Sequence, residues 1–73
     1  MKYKRYIKAL CRDIGKIRNL DPPRITATEL GEELGVRHNS VYEWMRGDKI
    51  PSRKNQEKMK ALRLRIDKYP ETF

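Results

Sequence analysis

Hydrophobic residues recur along this chain at alternating spacings of four and three. Tyr3, Ile7, Leu10, Ile14 and Ile17 mark the first such stripe. Side chains at these spacings share one face of a 3.6-residue spiral, so residues 2–19 read as an amphipathic helix. Lys2, Lys4, Arg5, Lys8, Arg12 and Lys16 fill much of the remaining surface. The stretch "NLDPPR" (19–24) stops this helix, because proline cannot extend the hydrogen-bond ladder and the residue before it is pushed out of the helical region. A second helix starts at "TATE". Thr26 followed by Glu29 is a capping box, in which the hydroxyl takes a free first-turn N–H and the carboxylate reaches back to the Thr26 N–H. Leu30 and Leu34 form its stripe, and Gly35, free to take positive φ, ends it. A third helix runs from about His38 to Arg46, with Val41, Trp44 and Met45 on one face and Asn39, Tyr42, Glu43 and Arg46 on the other. Gly47 terminates it and "GDKIPS" is a loop. Ser52 caps a fourth helix over roughly 53–68, with Met59, Leu62, Ile66 and Tyr69 on one stripe and Pro70 as its stop. No alternating run rich in β-branched residues exists, so no strand is expected. The predicted fold is all-α, a small bundle of four to five helices over residues 1–73.

The middle of this pattern is the informative part. Two short helices joined by three residues containing a glycine fit a helix-turn-helix unit. Leu30, Leu34, Val36, Val41 and Trp44 are the apolar set that wedges the two helices together. Gly31 lies where the first of them passes close to the second, and Gly35 makes the sharp turn. Such a joint holds the second helix outward at a fixed angle, with its polar face free to enter a major groove. Trp44 reads as core rather than as a stacking platform.

The stretch "TELGEELGVRHNSVYEWMRGDKIPS" resembles the Cro/XRE-type helix-turn-helix of phage repressors and related bacterial regulators. The shared features are E-L-x-x-x-L-G-V, then S-V-x-x-W, then R-G-x-x-x-P-S, and the resemblance covers about Ile25–Leu62. It implies a lambda repressor-like helical bundle that binds operator DNA, usually as a homodimer. By position it places Arg37, His38, Asn39, Ser40 and Glu43 nearest the DNA, with Tyr42 close by. The chain departs from the family's pattern at Arg53 and Gln56, which stand where apolar residues are usual, and a fifth helix normally follows. One long C-terminal helix with an exposed stripe would suit dimerisation. Arg37 is a poor N-cap where Ser or Thr is commoner, at a cost of about 1 kcal/mol.

The chemistry of these side chains suits base reading. Asn39 can pair bidentately with adenine, Glu43 can accept from the cytosine amino group, Ser40 can contact several bases or a phosphate, and His38 can donate to guanine or a phosphate. A good base contact discriminates by about 1–3 kcal/mol. Glu43 has a second reading, as the ion-pair partner of Arg46 one turn on. Arg37, Arg46 and Lys49, with the free N–H groups of Thr26, Ala27 and Thr28, are the phosphate-clamping set, which fixes position without carrying sequence information. His38 has no second histidine, cysteine or acid at ligand spacing, so no metal or other cofactor is expected.

Composition narrows the partner. The 73 residues suffice for one domain with one small core. A formal net charge of +8, with 38% charged residues, points to an acidic partner. The charge is uneven: +6 over residues 1–24, −2 over 25–50 and +4 over 51–73. A nucleic-acid reading must therefore draw its attraction from the flanks of the chain. The single cysteine, Cys11, reads as a small buried apolar residue and fits a reducing, cytoplasmic setting. No apolar run approaches a membrane span, no small-molecule substrate is indicated, and no catalytic constellation is present. Tyr69 and Phe73 are either core patches or dimer contacts. Two rival readings share the fold or its neighbourhood. "VYEWMRGDKIPS" is also similar to excisionase and MerR-like modules, which continue into a β-wing, and a phage-assembly factor such as a small terminase subunit belongs to the same group. The other rival is a protein-interaction module, antirepressor-like or antitoxin-like, for which the acidic middle segment is the best argument.

Overall fold

The four hydrophobic stripes meet in a single core. A computed structural model describes residues 3–73. It contains helices α1 (Tyr3–Ile17), α2 (Ala27–Leu34), α3 (His38–Arg46) and α4 (Arg53–Lys68), then a 3₁₀ turn at Pro70–Thr72. There is no strand among the described residues, and the fold is all-α. The expected helix start at Lys2 lies outside the described residues. Ile7, Leu10, Cys11 and Ile14 of α1 are buried against Ala27, Leu30 and Leu34 of α2, Val41 and Trp44 of α3, and Met59, Leu62 and Ile66 of α4. Each fully buried side chain of this size stabilises the fold by about 1.5–3 kcal/mol. The half-buried Tyr3, Tyr6, Ile17, Val36, Met45 and Phe73 pack around this set.

The first helix stops earlier than the prolines require. It ends at Ile17, with Asn19 in the left-handed region at φ 57°. The Leu20 N–H donates to the Gly15 carbonyl at 3.0 Å and the Asn19 N–H to the Lys16 carbonyl at 3.1 Å. This is a Schellman end with asparagine in the place glycine usually holds. The prolines serve the next step. They route the chain back across α1, where Ile25 is buried and its N–H donates to the Cys11 carbonyl at 3.1 Å. The crossing passes directly over Gly15, where any Cβ would collide with the backbone of Pro23 and Arg24. Gly15 carries no periodicity signal, and its role is visible only once the 22–25 segment is in place.

The α2–α3 joint follows its sequence pattern closely. Thr26 and Glu29 form both halves of the capping box, at 3.2 Å and 3.1 Å. Gly35 caps α2 at φ 71° and the Val36 N–H donates to the Gly31 carbonyl at 2.9 Å. A Cβ on Gly31 would lie 2.9 Å from the Val36 carbonyl oxygen, so the close approach is real. Arg37 is the N-cap of α3 and supplies no side-chain hydrogen bond there.

The C-terminal region corrects the expectation. Residues 53–68 do form one long helix, but Met59, Leu62 and Ile66 are buried in the bundle and do not form an exposed dimerisation stripe. Tyr69 leaves that stripe and is 56% exposed, because α4 ends at Lys68 and the chain turns. Phe73 folds back beneath two guanidinium groups, Arg65 at 4.3 Å and Arg18 at 6.0 Å from its ring centre. At the other end of α4, Arg53 is exposed, while half-buried Gln56 donates to the carbonyl of buried Pro51 at 2.8 Å. A hydrogen bond thus stands at a position where the resembled family's pattern has an apolar residue.

Candidate nucleic-acid interface

The burial of Val41 and Trp44 decides which way α3 presents its other residues. With the core on that side, His38, Asn39, Tyr42 and Arg46 project outward and are exposed, Tyr42 by 43%. The rings of His38 and Tyr42 meet edge to face at 6.2 Å, which ties the first and second turns together. Among the described residues, the side chains of His38, Asn39 and Tyr42 make no hydrogen bond to the rest of the protein. Their donors and acceptors are therefore open to an external partner. Ser40 is half-buried on the flank of α3, a less prominent place than its neighbours hold.

The end of α3 differs from expectation in its pairing. Glu43 does not pair with Arg46. It is half-buried and receives Lys49 Nζ at 3.1 Å, while Arg46 Nε donates to Asp48 Oδ2 at 2.9 Å. The Gly47 turn explains the exchange. Gly47 takes φ 81°, and the Asp48 and Lys49 N–H groups both fold onto the Glu43 carbonyl, at 2.9 Å and 3.5 Å. This brings Lys49 over Glu43 and Asp48 beneath Arg46. Both clamp cations therefore lie beside carboxylates. All four groups are solvent-accessible, and such pairs contribute about 0–1 kcal/mol, so a phosphate can displace the acids at little cost.

At the start of α2, the Thr26 N–H donates to the Glu29 carboxylate and its hydroxyl accepts from the Glu29 N–H, so the Thr26 N–H is not a free donor. Its hydrogen bonds, from backbone and then hydroxyl, hold the Glu29 carboxyl below its ordinary range. The Ala27 side chain is buried. What remains open are the N–H groups of Ala27 and Thr28, which have no partner within the chain among the described residues.

Tertiary structure brings cations from the flanks of the chain beside its acidic middle. One groove, of about 700 Å³, runs between α1, the 22–25 crossing and Met45 of α3, and is rimmed by Arg5, Lys8, Arg12 and Arg24. A second, of about 420 Å³, lies between the first turn of α1 and the end of α3 and gathers Lys4, Arg46 and Lys49. The acidic middle of the sequence is thus flanked in space by cations from elsewhere. Its own acids are partly spent internally: Glu33 receives Arg18 at 2.8 Å and Arg65 at 3.7 Å.

Sequence reasoning missed several contributors. The α1 cations border α3 because α1 packs directly against it, a contact distant in sequence that no local pattern announces. Ile50, 73% exposed in the loop after α3, is an apolar tip beside the smaller groove. Asp13 and Arg63, 2.7 Å apart, join α1 to α4 across fifty residues of sequence. No helix among the described residues is long and apolar enough to cross a membrane. Among known protein families, curated proteins and solved structures, none matches this chain.

Proposed function

We propose that the chain is a sequence-reading, double-stranded DNA-binding regulator of the Cro type, with α2 and α3 as a helix-turn-helix and α3 as the element that enters the major groove. The observation that carries this reading is the outward face of α3. His38, Asn39 and Tyr42 stand exposed with open hydrogen-bonding groups on a helix anchored by Val41 and Trp44, and cations gathered from distant parts of the chain border it. Asn39 and His38 are the leading base readers. Glu43 reads a base only after Lys49 moves to a phosphate. Arg37, Arg46, Lys49 and the Ala27 and Thr28 N–H groups position the duplex. A homodimer would read two half-sites about one helical turn apart.

Equilibrium binding at about 150 mM salt, on a preferred and on a random duplex, tests the assignment. Asn39→Ala loses about 1–3 kcal/mol on the preferred duplex and little on the random one. Lys49→Ala weakens both alike. Equal losses for Asn39→Ala on the two duplexes would remove Asn39 from the reading face. One observation favours the protein-interaction rival: Arg46 and Lys49 are already paired with acids. That rival requires no duplex binding at this salt together with tight binding to a protein.

A further inference from the structure

The larger groove is not part of α2 or of the outward face of α3, yet it borders α3 and the segment that leads into α2. Its α3 wall is Met45, which lies seven residues after His38 and three after Tyr42. Seven residues are about two helical turns, so Met45 and His38 share one line along α3. The groove therefore runs beside the edge from which His38 and Tyr42 project. Its opposite wall is α1, where Lys8 and Arg12 are spaced by four residues, a rise of about 6 Å, with Arg5 alongside. Its third side is Arg24, two residues before the N-cap of α2. The floor, which includes Ile25 and Pro23, is apolar, and no acidic residue lines the groove.

The charges on this rim are largely unspent. Among the described residues Arg5, Lys8 and Arg24 form no ion pair and are exposed. Arg12 leans on Asp13 at 3.4 Å, but Asp13 is held more closely by Arg63 at 2.7 Å. This contrasts with Arg46 and Lys49, the clamps that the sequence singles out, which are paired within the protein.

We infer that this groove is a second nucleic-acid contact, in which one strand's phosphodiester backbone lies along α1 between Lys8 and Arg24, its phosphates on the cations and its deoxyribose edges over the apolar floor. The inference rests on the DNA-binding reading and extends it. The footprint reaches beyond the helix-turn-helix, and the strongest non-specific attraction comes from α1 and the 22–25 crossing. An acidic peptide would satisfy the same charges. The duplex backbone is favoured because the groove is continuous with the edge of α3.

The test is the salt dependence of duplex binding by the full chain and by Lys8→Gln/Arg24→Gln, with Lys60→Gln/Lys68→Gln as a charge-matched control. All four positions are exposed, so each variant should melt as the unaltered protein does, which thermal unfolding verifies. Each lost phosphate contact lowers the slope of log K against log salt by about 0.9. The groove variant should lose a slope of about 2 and keep its sequence preference, while the control keeps both. An unchanged slope in the groove variant, or an equal fall in the control, overturns this inference and leaves the α3 reading intact. Lost affinity for an acidic peptide such as poly-glutamate, with duplex binding unchanged, overturns it in favour of a protein partner. No duplex binding by the unaltered protein overturns both.

Discussion

The outward face of α3 and two arginines of α4, Arg63 and Arg65, are both polar and helical, and they are used in opposite ways. Arg63 is fastened to Asp13 and Asp67 at 2.7 Å and 2.8 Å, and Arg65 to Thr72 at 3.0 Å while it covers Phe73 at 4.3 Å. The side chains of His38, Asn39 and Tyr42 make no hydrogen bond or ion pair among the described residues, and only the rings of His38 and Tyr42 touch each other. Arg63 and Arg65 bind within the protein and stabilise the bundle; His38, Asn39 and Tyr42 are left open, although internal partners would add stability. Residue type does not separate the two regions. Intramolecular satisfaction does.

That contrast can be broken at several points. The largest effect is expected behind both regions, at the α1 crossing. Gly15→Ala drives a methyl group into the Pro23–Arg24 backbone and should destabilise by about 3 kcal/mol in urea unfolding. A loss below about 1 kcal/mol would mean the crossing is looser than described. Next comes the inward network. Arg63→Ala removes two charge-assisted bonds, one to half-buried Asp13 and one to exposed Asp67, and should cost about 1–2 kcal/mol.

The same network predicts a pH dependence. Burial by itself pushes the Asp13 carboxyl up, but hydrogen bonds from Arg63 and Arg12, with their charges, bring it below the ordinary aspartate value. A carboxylate depressed in the folded state contributes stability that is present above its unfolded pKa, about 3.9, and is lost as pH falls through the folded one. Acid unfolding should therefore set in below about pH 4, and Asp13→Asn should flatten that limb of the curve while lowering stability at neutral pH. An identical acid limb in Asp13→Asn would remove this group from the account. The smallest effect belongs to the outward face. His38→Ala, Asn39→Ala and Tyr42→Ala should each change stability by less than about 0.5 kcal/mol. A loss of several times that in any of them would reveal an internal role for the residue.

Much of the fold was legible because it depends on local physics. The capping box at Thr26, the left-handed turns at Gly35 and Gly47, the Ser52 cap and the buried stripes all follow from spacing and side-chain chemistry. What was not legible depends on contacts distant in sequence. Ile25 and Gly15 matter because the 22–25 segment crosses α1, and neither signals this in its own window. Asn19 ends α1 before the prolines do, because an asparagine tolerates positive φ at less cost than most residues. The stripe of α4 is too sparse to tell core from interface until α1 and α2 are packed against it. The candidate site divides similarly. Helical periodicity placed Asn39 and Tyr42 on the outer face and the resemblance added His38, whereas the pairing of Glu43 with Lys49, and not with Arg46, was set by the geometry of the turn at Gly47.

The central claim is that the open face of α3 reads bases. Selection from random duplex DNA at about 150 mM salt, run with the unaltered protein and with Asn39→Ala, tests it most directly. The account predicts an enriched two-fold symmetric site, and in the variant the loss of preference at one base position in each half-site with the rest of the motif retained. No enriched motif, or the same motif from both proteins, would contradict it.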